Sequence, residues 1–227
     1  MSRLSHLAQM TLLALHLLLV PAAMAKGGTV HSELPQRLDP GARYVIYLHG
    51  RIIEDQGPRP THESFGIYEY RQILDTLAAA GFTVIGEQRR PGTDMDRFAE
   101  HVTRQVQTLL AGKVPPERIT VIGFSKGGGI ATRTSALLKN DKVNFVFLAA
   151  CGDGSFRGVD RDVRGRILSI YEESDDAGRS CAQLFARSKS AGTRQEIQIR
   201  TGEGHGAFYR PRKEWTDPVI AWVREVR

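Results

Sequence analysis

Three side chains have the types and surroundings that nucleophilic chemistry needs: Ser125, Asp175 and His205. Ser125 sits in the stretch GFSKG, between an apolar run at 119–122 and a helical pattern at 127–138. A strand-to-helix reversal this tight strains the backbone at the serine. Side chains at the flanking positions would collide, and Gly123 and Gly127 leave them out. The hydroxyl is pushed clear, with helix amides behind it. A serine hydroxyl alone is a weak nucleophile. It needs a base to take its proton and a third group to orient that base. His205, in GEGHGAF, is the expected base. Asp175, at the end of ILSIYEESDD, is the expected orienting acid. Asp176 and then Glu173 are its rivals, and His49, His62 and His101 compete with His205.

Cations crowd the same region. Lys126 opens the helix after the serine, where a positive charge opposes the helix dipole by about 0.3–1 kcal/mol. A locally unfavourable residue of this kind points to function. With Arg51, Arg89 and Arg90 it could bind an anionic substrate, such as an ester bearing a free carboxylate. The alternative is that Glu87 or another nearby acid holds Lys126.

The elements that must position these residues follow from apolar periodicity. Strands are predicted at 44–48, 82–86, 119–122, 144–149, 167–171 and 196–200. Helices are predicted at 67–80, 96–111, 127–138, 181–187 and 218–226, and residues 26–42 read as a surface lead-in. Short apolar strands separated mostly by helices imply an α/β fold, with a mostly parallel sheet of about six or more strands covered on both faces. Ligands of such sheets sit beyond the carboxyl ends of the strands. His49-Gly50-Arg51, Glu87 to Arg90, Ser125-Lys126, Cys151 to Asp153, Glu172 to Asp176 and Glu203 to Gly206 each follow a strand and meet at that edge.

The chain's 227 residues fit one domain, over 26–227, after a leader at 1–25. That leader has an early Arg3, an apolar run at 10–20 and the ending Ala23-Met24-Ala25, the pattern of a cleaved secretory signal. Export, to a periplasm or the exterior, is therefore expected, with no stable membrane insertion once the leader is gone. The formal charge is +6, falling by one with Arg3, and no long run of like charges suggests nucleic acid as a partner. Cys151 and Cys181 follow successive strands at one edge, so an exported chain is expected to join them in a disulfide. No His or Cys pair has metal-ligand spacing, and neither a metal nor another cofactor is expected.

The blocks YLHGR, GFSKGG, SIYEESD and GEGHGAF together resemble the α/β-hydrolase fold family, in a small, exported, serine esterase-like form. The likeness runs from about residue 44 to residue 226. It implies that the backbone amides of Arg51 and Lys126 bind an oxyanion, and that the substrate is a small ester or related acyl compound. The segment 150–166 has no apolar periodicity and leaves no room for a large helical lid, which argues against long-chain lipids. The segment 52–68 is long enough to fold over the site and set specificity. Peptide or thioester cleavage by the same groups, or a non-catalytic binding protein on this fold, are the alternatives. A phosphate cradle at SKGGG lacks the GxxxxGK[ST] spacing.

Overall fold

The computed structural model describes residues 27–152, 162–189 and 192–225. The leader at 1–25 and most of the stretch examined for a lid, 153–161, lie outside the described residues.

In chain order the strands are Thr29–His31 (β1), Tyr44–Leu48 (β2), Thr61–His62 (β3), Gly66–Ile67 (β4), Thr83–Ile85 (β5), Ile119–Phe124 (β6), Asn144–Leu148 (β7), Arg166–Glu172 (β8) and Arg194–Ile199 (β9). The helices are Arg51–Gln56 (α1), Tyr70–Ala79 (α2), Met95–Ala111 (α3), Lys126–Leu138 (α4), Ala182–Arg187 (α5) and Lys213–Arg224 (α6). Seven strands form one sheet in the order β1-β5-β2-β6-β7-β8-β9, and each neighbouring pair is parallel.

Side chains alternate across a strand, so a strand in the middle of such a sheet feeds two cores. Val45 and Tyr47 face a core completed by Ile73, Leu74 and Leu77 of α2 and by Trp215, Val219 and Trp222 of α6. Tyr44, Ile46 and Leu48 face another, completed by Val102, Val106 and Leu109 of α3 and by Ile130 and Ala131 of α4. The expected doubly covered parallel sheet is what forms.

Three local expectations need correction. The lead-in is not all surface coil: β1 pairs with β5 and forms one sheet edge. The helix expected at 67–80 starts at Tyr70, because Gly66–Ile67 is β4, paired with β3 in a hairpin within the segment 52–68. The last helix starts at Lys213, five residues earlier than expected, with Pro218 inside it. Proline fits best at the first helical position, which drew the predicted start to 218.

Candidate active site

Ser125 is the residue between β6 and α4, and its backbone is strained, with φ 54° and ψ −118°. Its amide donates to the Leu148 carbonyl at 3.0 Å, and its carbonyl accepts the first α4 bond from Gly129 at 3.0 Å. The glycines are required by contact. A Cβ on Gly123 would lie 2.2 Å from the Gly127 carbonyl oxygen, and one on Gly127 would lie 2.0 Å from that of Leu48. The turn can close only with hydrogen at both positions.

His205 lies in a 3-10 turn over Gly204–Phe208, after β9. Its ring lies 4.7 Å, centroid to centroid, from that of Phe124, the residue before Ser125. Its Nδ1 donates to Asp175 Oδ2 at 2.7 Å. Asp175 Oδ1 accepts from the Ala177 amide at 2.8 Å, so both carboxylate oxygens are engaged. Nε2 of His205 is left as the acceptor, the tautomer a general base requires. The rival acids stand elsewhere. The Asp176 side chain is fully exposed and faces Arg179, and Glu173 is paired with Arg200 at 3.1 Å.

The loops that bear Asp175 and His205 are tied together by a residue that the sequence did not single out. Glu172, buried at the end of β8, accepts through Oε2 from the Ser174 amide and hydroxyl, both at 2.6 Å. Through Oε1 it accepts from the amides of Thr201 at 2.9 Å and Gly202 at 3.0 Å. One carboxylate thus joins the loop that bears Asp175 to the loop that bears His205. Burial works against its charge, but these donors outweigh burial and hold its pKa below the ordinary value. The disulfide between Cys151 and Cys181 forms as expected and fastens the end of β7 to the far side of the Asp175 loop.

On the other side of Ser125, two of the four cations are tied to one buried acid. The Arg89 side chain is fully buried; its Nε donates to Glu54 Oε1 at 2.7 Å, and it also donates to the His49 carbonyl. Its expected role in substrate binding is therefore corrected: no part of the guanidinium reaches solvent. Lys126 Nζ donates to the other oxygen of Glu54, at 2.6 Å. Its partner is Glu54 of α1, not Glu87, which is taken by His101 at 2.8 Å. Arg90 is exposed, and Arg51 reaches solvent, paired with Asp55 at 3.5 Å. His49 is excluded as a base. Its Nε2 accepts from the Arg89 amide at 2.9 Å, and burial together with the Arg89 charge pushes its pKa down to about 3.

Arg51 and Lys126 are the first residues of α1 and α4, so their amides have no acceptor within their helices. Both line a cleft of about 620 Å³ that also exposes Ser125, with a wall of small residues at Gly129, Ala149, Ala150 and Ala177. A second cleft, of about 550 Å³, runs past His205 between Phe65, Ser174, Gly204, Gly206 and Arg210. The β3–β4 hairpin borders that side. Phe65 lies 6.2 Å from the His205 ring and stacks on His62 at 4.4 Å. The segment 52–68 thus does reach the site, through Glu54 at one end and Phe65 at the other.

No protein-family model matches this sequence, and neither does any curated protein. Solved structures do. One, described as a predicted CIB-like hydrolase from Thermoplasma acidophilum, has a TM-score of 0.55 at 16% identity over 84% of this chain and 90% of that one. Arabidopsis thaliana SOBER1 has a TM-score of 0.53 at 14% identity over 81% and 98%. A Paleococcus ferrophilus monoacylglycerol lipase has a TM-score of 0.55 at 12% identity over 79% and 93%. Identities this low speak to architecture alone, and with the parallel sheet and its helical layers they identify the chain as having the α/β-hydrolase fold.

Proposed function

We propose that this protein is an exported serine hydrolase that cleaves small carboxylic esters through an acyl-enzyme. The observation that carries the reading is the strained Ser125 at the entry to α4, together with a His205 whose ring packs on Phe124, the residue before it, and whose Nδ1 is fixed by Asp175. His205 Nε2 takes the proton from Ser125, and the serine oxygen attacks the ester carbonyl. The amides of Arg51 and Lys126 receive the oxyanion, a contribution of about 2.7–4 kcal/mol for each donor in enzymes of this type. His205 then gives its proton to the departing alcohol, and the same histidine activates the water that frees the acid.

Small esters are favoured because the cleft at Ser125 sets Thr93, Asp94 and Arg133 among its glycine and alanines, a mixed lining rather than the large apolar cavity that long acyl chains want. The ester-cleaving or lipid-cleaving names of several structural neighbours agree with this choice. With Arg89 and Lys126 both bonded to Glu54, an anionic group on the substrate would meet chiefly Arg51. The disulfide supports an oxidising address, in keeping with the leader.

The test is labelling with a fluorophosphonate and turnover of p-nitrophenyl acetate and butyrate, by the mature chain and by Ser125→Ala. Both signals are expected in the parent, and turnover is expected to fall by about 10⁴-fold or more in the variant. A folded parent that neither labels nor turns over would remove the hydrolase reading.

A further inference from the structure

Glu54 lies one helical turn after Arg51, in a six-residue helix, and its side chain is completely buried. A lone buried carboxylate is costly, and it is tolerated only when its oxygens are matched. Here each oxygen has its own cation. Oε1 takes Arg89 and Oε2 takes Lys126. The three ends belong to three different segments: α1, the turn after β5 and the start of α4.

The connectivity matters more than the charge. Arg89 also donates to the carbonyl of His49, and its amide donates to the His49 ring, so it grips the turn that leads through Gly50 into Arg51. Lys126 is the first residue of α4, immediately after Ser125. The carboxylate therefore links the residue that carries one oxyanion amide to the turn that carries the other. No backbone hydrogen bond is needed across that gap, and the amides stay available. Beyond the β2–β6 pairing, which ends at Leu48 and Gly123, the two turns are joined by the reach of two long side chains onto one acid.

Resting on the hydrolase reading above, we propose that Glu54 is a positioning residue that sets the distance between the Arg51 and Lys126 amides of the oxyanion hole. Such a role appears in the transition state rather than in substrate binding, because the donors are matched to the developing oxyanion. A displacement of about 1 Å in a catalytic group can cost about 100-fold in rate.

The experiment compares the parent chain with Glu54→Gln, Lys126→Met and Lys126→Arg. It measures kcat and KM for p-nitrophenyl butyrate, and the Ki of an alkyl trifluoromethyl ketone, whose serine adduct carries an oxyanion. Circular dichroism and Tm report folding, and fluorophosphonate labelling of the parent is the entry check. Glu54→Gln is expected to lose about 100-fold in kcat, with KM within about threefold and Ki weakened by about the same factor as kcat. Lys126→Met, which cuts one arm and keeps the Glu54–Arg89 pair, is expected to lose about 10-fold in kcat. Lys126→Arg, which returns a cation to Glu54, is expected to recover most of that loss. A purely structural Glu54 would lower Tm in the variants without moving kcat or Ki. A folded Glu54→Gln with kcat within about threefold of the parent overturns the inference, as does a rise in KM alone. If Glu54→Gln does not fold, the two Lys126 variants decide: unchanged kcat and Ki in Lys126→Met overturn it. A parent that fails to label overturns the hydrolase reading and this inference with it; a parent that labels while the variants keep kcat and Ki overturns this inference alone.

Discussion

The two halves of the sheet edge are built by opposite means. On the side of β2, β5 and β6, the turns are pinned by buried charges: Glu54 holds Arg89 and Lys126, and Arg89 holds His49. On the side of β8 and β9, the carboxylate of Glu172 gathers backbone amides from two loops, and a disulfide closes the perimeter. Side chains reach across long gaps in the first half, and backbone closes short ones in the second. The first half therefore depends on three buried charges as well as on the two glycines of the serine turn. The second depends on the loops' own conformation, on ionisation of one acid and on oxidation of two thiols.

Predictions that would break or sharpen this contrast fall in order of size. The largest concerns the acid. Asp175→Asn is expected to reduce kcat by about 10⁴-fold with the fold intact, because an amide in that place favours the wrong histidine tautomer. Asp176→Asn, at a fully exposed position, is expected to stay within about twofold. Steady-state kinetics on both variants decides. Equal losses would dissolve the distinction between the two neighbours.

Next comes the disulfide. It closes a loop with a sequence separation of 30, which in the loop-entropy account corresponds to about 3.5 kcal/mol. Cys151→Ala with Cys181→Ala is expected to lower the unfolding free energy by roughly that amount in denaturant titrations. Activity of the molecules still folded should fall with it, since Asp175 lies within the closed loop. An unchanged denaturation midpoint would show that the second half holds itself without the bridge.

The smallest effect is at Glu172. Glu172→Gln places an NH2 group against donors that now point at a carboxylate oxygen, and a loss of about 2 kcal/mol is expected. The parent should show the same dependence through pH. The folded pKa of Glu172 lies below its ordinary value of 4.5, so its contribution is complete above that value. It is lost as pH falls through the lowered folded value. Unfolding measured from pH 6 downward should therefore show a slope that Glu172→Gln flattens. An identical slope in parent and variant would assign acid sensitivity to other groups.

The sequence disclosed the parts whose cause is local. The turn at Ser125 is written in two glycines that sterics demand, and strands such as 44–48 are written in unbroken apolar runs. Asp175 could be separated from Asp176 only by which way each side chain turns, and that depends on the packing of Gly178 and Ala149 against the loop. Glu54 and Arg89 were unreadable as a pair because 35 residues separate them and only the sheet order brings their turns together. The β3–β4 hairpin is two residues per strand, too short for any alternation to register. Glu172 was hidden differently: four acids cluster after one strand, and only the neighbouring loop shows which of them turns inward.

The strand order also sets a timetable. β9 is an edge strand, joined to the sheet only through β8, and His205 follows it directly. Ser125 precedes His205 by 80 residues, and the segments that build the serine turn, β6, α4 and β7, are all made before that histidine. Parallel pairings over long sequence separations are slow to form. On the proposed hydrolase reading, docking of this edge strand would complete the site, and a molecule clipped before β9 would carry the serine turn without His205.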